Sequence, residues 1–386
     1  MRIAIFTDTY KPHRDGVVTH IEDITKFFTG KGHEITLFTP GKNKFQVKQI
    51  SKNLEVVELH SIPFYVYKDY RIPIAGIQKI KKIFKNKKFD LIHIHSPFTS
   101  GITGLYISKK FSIPIVGTYH TLLPEYAPYL LNGKLKNVLK KLGQHPSKKY
   151  TKFIYSKLDC TIAPSKEIKK YLESCGLKNV VWIPNGINPD KFKNSKKIDL
   201  AKKYNLPEDK KLLLFVGRMG FEKKVDVLLK SMKYLEDEKV FLILSGSGPY
   251  LKKYKEIARK LKLKNVRFLG YVKDEILPLL YFNSDIFVSP SDSEVHPITF
   301  LEAMCAGLPL IGVNKRGAKE MITHNVNGFL AKPGDSRDLA VKIKKLVNDE
   351  KLIKKFSKNS KKIIKNYYIE KTSKKLIELY KRLYKN

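Results

Sequence analysis

The chain has 386 residues, is 42% hydrophobic and carries a formal net charge of +39, with 75 Lys and Arg against 36 Asp and Glu. That apolar content excludes wholesale disorder, and no uninterrupted apolar run of about 18 residues is present to form a membrane-spanning helix. The start, Met1 then Ile3-Ala4-Ile5-Phe6, reads as a strand and not as a secretory leader. The charge excess is spread along the chain: residues 1–184 hold 31 basic against 13 acidic side chains, and the remainder 44 against 23. An even lysine coat argues against a nucleic-acid module, which would gather Arg and aromatics in one place. Cys160, Cys175 and Cys305 have no ligand-like spacing and fit a reducing cytosol.

In chain order, short apolar strands alternate with amphipathic helical segments. The first half offers strands at Ile3–Phe6, Ile35–Phe38, Val56–Leu59, Leu91–His95, Ile115–Thr118, Cys160–Ala163 and Val180–Ile183. The second half offers Leu212–Val216, Phe241–Leu244, Val266–Leu269, Ile286–Ser289 and Leu310–Val313. This alternation predicts parallel sheets covered by helices on both faces. It runs twice, which predicts two Rossmann-like domains, residues 1–184 and 185–366, with the boundary at Pro184-Asn185-Gly186. The stretch from Ile187 to Lys211 reads as a connection plus a short helix, and the tail from about Leu352 as amphipathic helix. Ligands of such sheets sit beyond the carboxyl ends of the strands, so two domains facing each other there would enclose a cleft.

The chemistry-bearing residues fall on those ends. Gly16 opens a helix after the first strand and would let backbone amides approach an anion; an ordinary turn glycine would look the same. Gly217-Arg218-Met219-Gly220-Phe221-Glu222-Lys223 follows the second half's first strand and places two cations where a departing diphosphate needs charge compensation. Ser245-Gly246-Ser247-Gly248 suits a close backbone approach to a ligand and equally a plain turn. Glu294 and Glu302 lie eight residues apart across a loop-to-helix junction, with Pro297 expected in the first helical turn. If the helix starts at Ile298, the amides of Ile298 and Thr299 would face a diphosphate. The two acids would then stand on the order of 10 Å apart, enough to hold the sugar and the ribose of one donor. His120, just after a strand, would meet a sugar hydroxyl or phosphate. His93 and His95 share one sheet face, but no third metal ligand is evident in the sequence, and no metal is expected.

Taken together these residues resemble the retaining nucleotide-sugar glycosyltransferases of family 4, which have the GT-B fold. The resemblance spans nearly the whole chain and rests on Gly16, His120, the Gly217-Arg218…Lys223 turn and the Glu294…Glu302 pair. It implies that Arg218 and Lys223 hold the donor diphosphate, Glu302 the ribose and Glu294 the donor sugar, with His120 beside the transferred sugar. It implies no cofactor: a nucleotide sugar, with UDP favoured, is the substrate. It also implies that a C-terminal helix, 367–386, joins the first, acceptor-binding domain, while the second binds the donor. Two departures stand out. Val295-His296-Pro297-Ile298 replaces the family's frequent Gly-Phe-Gly-Leu, and Lys224 stands where the family often has Gly.

The opening Asp8-Thr9-Tyr10…Gly16-Val17-Val18 and the run Thr118-Tyr119-His120-Thr121…Glu125-Tyr126 resemble the glycolipid branch, which adds a hexose to diacylglycerol-type lipids. Two acid-free basic runs, Tyr70 to Phe89 and Tyr126 to Leu158, suit an anionic membrane surface. A cytoplasmic protein held peripherally on the inner face of the membrane is therefore expected. A soluble or polysaccharide acceptor, and a sugar-nucleotide epimerase of the same fold, are the competing readings.

Overall fold

A computed structural model describes the chain except residues 12, 14, 43, 65, 66, 75, 121–143, 193–199 and 386. The chain divides into two compact units, Met1–Gly186 with Ile369–Asn386, and Ile187–Tyr368.

In the first unit the strands are β1 (Arg2–Phe6), β2 (Glu34–Pro40), β3 (Gln46–Ser51), β4 (Leu54–Leu59), β5 (Ser61–Phe64), β6 (Tyr67–Pro73), β7 (Leu91–Ile94), β8 (Ile115–Thr118), β9 (Cys160–Ala163) and β10 (Val180–Trp182). Eight of them form one sheet in the order β10-β9-β8-β7-β1-β2-β4-β3, parallel except for the edge pair β3–β4. β5 and β6 pair apart as an antiparallel hairpin. Residues alternate across a strand, and β1 shows the result. Ile3 and Ile5 pack with Ile21, Ile24 and Phe28 of the helix Gly16–Gly30 and with Leu376, Leu379 and Tyr380 of the helix Ile369–Lys385. On the other face Phe6 stacks on Phe38 at 4.5 Å, and both meet Phe84 of the helix Ile77–Asn86. The last helix thus supplies part of the first unit's core.

In the second unit the strands are β11 (Lys211–Val216), β12 (Val240–Ser245), β13 (Val266–Gly270), β14 (Ile286–Val288), β15 (Leu310–Val313) and β16 (Gly328–Ala331), all parallel in the order β13-β12-β11-β14-β15-β16. Leu213 and Phe215 bury against the helices Val225–Lys233 and Ser336–Val347, while Leu214 buries against the helix Ile298–Ala306. Strand order reverses between β11 and β14, and at such a switch point the loops part and leave room for a ligand.

Four strands went unread in the sequence. β3 is exposed along its whole length, so it lacks the apolar run that marks a strand, and β16 opens on a glycine. The hairpin strand β5 carries Pro63 and β6 ends on Pro73, which mask their pattern. Of the basic run from Tyr126 to Leu158, residues 126–143 lie outside the described residues; the rest begins with the helix Gln144–Tyr155. No helix among the described residues is long and apolar enough to cross a membrane.

Candidate active site

The second unit gathers its charged residues at adjacent strand ends. β11 and β14 are hydrogen-bonded neighbours, so the loops after them lie side by side. After β11, Gly217–Gly220 leads into the 3-10 turn Phe221–Lys223, and after β14 the loop reaches Glu294. Lys223 Nζ donates to Glu294 Oε1 at 2.6 Å, with both side chains largely buried. Arg218 donates to Glu222 Oε1 at 2.8 Å, and the Glu222 side chain is almost wholly buried. The sequence reading quoted Glu222 inside the motif and gave it no role, because an isolated glutamate reads as a surface residue. Its place is structural as well as electrostatic. A Cβ on Gly220 would stand 2.2 Å from the Glu222 carboxylate, so a larger residue there would push that carboxylate away from Arg218. Ser293 Oγ donates to the Glu222 carbonyl at 3.3 Å, which ties the β11 loop to the β14 loop.

Two glycines of the next loop have a definite reason. Gly246 has φ +142 and a Cβ there would meet the Gly217 carbonyl oxygen at 1.8 Å. Gly217 N also donates to Ser245 O, and Met219 N to Ser247 O. Ser245-Gly246-Ser247-Gly248 therefore lies against the Gly217–Met219 backbone and props the loop that carries Arg218. Lys224 adopts φ +52, the left-handed region that favours glycine. The family's frequent glycine at that position has this backbone conformation as its physical cause.

The helix Ile298–Ala306 begins where the sequence placed it, but Pro297 sits at the N-cap and not in the first turn, with φ −74 and ψ 119. Proline has no side-chain acceptor to cap a helix, and no side-chain cap is present. The amides of Ile298 and Thr299 are among those a helix start leaves to outside partners. Glu302 lies one turn further on, where Tyr281 donates its hydroxyl to Glu302 Oε2 at 2.7 Å. Burial, reinforced by Glu302, pushes Tyr281 well above its ordinary pKa, so the phenol keeps the proton it donates.

The first unit gathers neutral rings instead. Leu91, His93 and His95 alternate onto the face shared with Ile5, and Val116 and Thr118 of β8 continue that face toward His120. Burial pushes Tyr380 well above its ordinary pKa, so its hydroxyl stays protonated, and it shares a hydrogen bond with His93 Nδ1 at 2.6 Å. On its other side His93 Nε2 shares a hydrogen bond with Thr118 Oγ1 at 2.8 Å. His95 Nδ1 and His120 Nε2 are 3.0 Å apart, and the two rings stack at 13°. His20, on the helix that Gly16 opens, brings its ring centroid to 5.1 Å from His120 and 5.7 Å from His95. Burial pushes His20 down to about 4 and His95 well below the ordinary histidine range. His120 is half-buried.

The sequence reading found two alternating histidines and no third; the fold adds His20 and His120 to His95 from segments 75 and 25 residues away. At Gly16 the helix start is already occupied. Asp15 caps it, accepting from Val17 N and Val18 N at 2.9 Å each. Burial alone pushes Asp15 up, but His13 and those amides hold its carboxyl below the usual range. Asp15 thus takes two of the amides at this end, those of Val17 and Val18.

With this geometry in place, the kinship of the chain is specific. The family model described as Glycosyltransferase Family 4 matches residues 14–191, and that described as Glycosyl transferases group 1 matches residues 196–363. The alpha-monoglucosyldiacylglycerol synthase of Streptococcus pneumoniae is 30% identical over 342 residues, covering 86% of this chain and 75% of the relative. That of Acholeplasma laidlawii is 31% identical over 331 residues, covering 81% and 80%. Among solved structures, sucrose-phosphate synthase from Thermosynechococcus elongatus superposes with a TM-score of 0.82 at 21% identity over 99% of both chains. Anabaena HepE in complex with UDP superposes with 0.74 at 20% identity, over 99% of this chain and 100% of that one. The protein is a glycosyltransferase with the two-domain α/β architecture called GT-B. It belongs to the family-4 glycosyltransferases, in the branch that holds the glycolipid synthases.

Proposed function

We propose that this enzyme transfers a hexose, with retention of anomeric configuration and without a bound metal, from a nucleotide diphosphate sugar to a diacylglycerol-type lipid. UDP-sugar is the favoured donor. The observation that carries this reading is the pairing of Lys223 with Glu294 at 2.6 Å, beside Arg218, at the joined ends of β11 and β14. Arg218 and Lys223 neutralise the diphosphate as it leaves, which is the work a divalent ion does in other transferases. The amides of Ile298 and Thr299 add donors to the same anion. Glu302 holds the ribose hydroxyls and Glu294 the hydroxyls of the sugar. His120 contacts the transferred sugar, and Gly16 allows the backbone near the donor to pass close.

In the reaction the bond between the anomeric carbon and the diphosphate oxygen breaks. A bond from the acceptor hydroxyl oxygen to that carbon forms on the same face, and the acceptor's proton passes to the departing phosphate. Glu294 is paired with Lys223, so a bound diphosphate would exchange one anionic partner of Lys223 for another and let Glu294 meet the sugar. The first unit takes the acceptor. The lipid acceptor is supported by two relatives whose names specify a diacylglycerol product, and by the basic runs of the first unit. Lysines near an anionic surface contribute about 1 kcal/mol each, reduced by salt, and would hold the protein on the inner face of the membrane.

A thermal-shift screen with UDP, GDP and ADP sugars, followed by product analysis with a lipid extract, tests the reading. Stabilisation by a UDP sugar and a hexosyl lipid as product are expected, with activity kept in a chelator. Activity abolished by chelation and restored by a divalent ion would overturn the metal-free mechanism. A soluble product in place of a glycolipid would overturn the acceptor.

A further inference from the structure

We propose that the imidazoles of His20, His95 and His120 form a binding site for a first-row divalent transition ion such as Zn²⁺, and that its occupancy withdraws His120 from hexosyl transfer. The inhibitory half rests on the role given to His120 above; the binding half does not.

Each of the three rings offers a nitrogen within 4.8 Å of the other two. A tetrahedral site with metal–nitrogen bonds of 2.0–2.1 Å has nitrogen–nitrogen edges of about 3.3 Å. His95 Nδ1 and His120 Nε2, at 3.0 Å, already stand at nearly that spacing. His20 has a nitrogen within 4.8 Å of the other two, so it needs to close by no more than about 1.5 Å to reach that edge length. The three come from three separate elements: the helix Gly16–Gly30, the end of β7 and the end of β8. The sheet thus fixes two ligands and the covering helix brings the third.

Two further ring nitrogens bear on how the ligands would be held. His20 Nδ1 and His95 Nε2 are buried and have no hydrogen-bond partner among the described residues. An unfilled buried nitrogen costs about 1–3 kcal/mol, and ligands to a metal hold their other nitrogen with a water or a carbonyl. A small cavity lined by His20, Thr118, Asn185, Thr372 and Ser373 adjoins the cluster and offers room for such a water.

The chemistry selects the ion. Imidazoles without a carboxylate favour Zn²⁺, Cu²⁺, Ni²⁺ and Co²⁺ over Mg²⁺ and Ca²⁺. The His95 Nδ1–His120 Nε2 contact is a hydrogen bond, so the proton it carries must leave or move to another ring nitrogen as the ion enters. Three protein ligands leave a fourth position for water, and half-buried His120 gives the ion its entry.

Full-length protein is stripped with a chelator, dialysed and titrated with Co²⁺ under visible absorption. The expected result is an intense four-coordinate spectrum that saturates at one ion per chain and is displaced by Zn²⁺. His20→Gln and His120→Ala, each checked for its own thermal transition, should bind at least about 10-fold more weakly. In the same buffer Zn²⁺ should suppress hexosyl transfer and a chelator restore it. A wild type with only the weak spectrum of hydrated Co²⁺, or full-strength binding in both variants, overturns the site. Binding that needs all three histidines yet leaves transfer intact supports the site and counts against the role of His120. Absent binding with normal transfer overturns the site and leaves the glycosyltransferase reading standing.

Discussion

The two units present opposite kinds of polar cluster at the ends of their strands. The first unit holds uncharged rings: His20, His93, His95 and Tyr380 are buried, and burial keeps the histidines neutral and the tyrosine protonated. The second holds paired charges, Arg218 with Glu222 and Lys223 with Glu294. On the proposed reaction, the contrast follows from what each would meet. A diphosphate needs cations, and cations kept half-buried before the donor arrives need acids beside them. A lipid hydroxyl needs a shaped, neutral surface with few hydrogen-bonding groups. On that reading, carboxylates that partner these cations can become sugar ligands once a diphosphate takes the cations, which a neutral cluster cannot do.

The sharpest way to break this comparison is at Glu294. Glu294→Gln should leave the fold intact and lower transfer on the order of 10³-fold, measured by steady-state product formation beside a melting curve. Near-normal turnover in the folded variant would remove Glu294 from the reaction.

Acid should act on the first unit ahead of the second. Histidines in the unfolded chain take up protons near pH 6.5, whereas His20 in the folded unit does so only at about 4. Between those values protons favour the unfolded state, so stability is full above pH 6.5 and falls as pH drops toward 4. The loss should reach roughly 3 kcal/mol for His20 alone, with His93 and His95 adding to it. The chain's one tryptophan, Trp182, lies in β10 of the first unit and reports on it directly. Denaturant titrations followed by Trp182 fluorescence and by circular dichroism should diverge as pH falls through this window. Coincident curves at every pH would contradict the contrast between the units.

Removing single cations comes next. Arg218→Ala and Lys223→Ala should each slow transfer on the order of 10²-fold, but they should differ in stability. Arg218→Ala strands the buried Glu222 carboxylate and should cost about 3 kcal/mol or more, and Glu222→Gln in the same chain should return part of it. Lys223→Ala leaves Glu294, which is less buried, and should melt closer to wild type. Equal melting temperatures in all three chains would argue against the Arg218–Glu222 pair. The smallest effect is expected at Lys224, where glycine relieves a left-handed backbone. Lys224→Gly should raise stability by about 1 kcal/mol, seen as a higher denaturation midpoint with transfer unchanged.

Much of this was legible in the sequence because it depended on local pattern. Most strands of both sheets are short apolar runs, and the Gly217-Arg218…Lys223 and Glu294…Glu302 motifs lie in the segments that follow β11 and β14. What escaped depended on topology. His20 and His120 meet His95 only because helix and strands fold onto one face, and no local spacing signals it. Glu222 is buried, and its backbone carbonyl accepts from Ser291 of the loop after β14, 69 residues away. The Asp15 cap is legible in the sequence, since an aspartate directly before a helical run is a cap signature. Pro297 fits either the cap or the first turn on sequence alone.

The most direct test of the proposed reaction is a single incubation of the purified protein with UDP-glucose and diacylglycerol in anionic vesicles, in the presence of a chelator, with the lipid product resolved and its anomeric configuration assigned. A monohexosyl diacylglycerol of α configuration, formed with release of UDP and absent with Glu294→Gln, is the predicted result. A β-linked product, or UDP released with the sugar left in solution and no glycolipid, would contradict it.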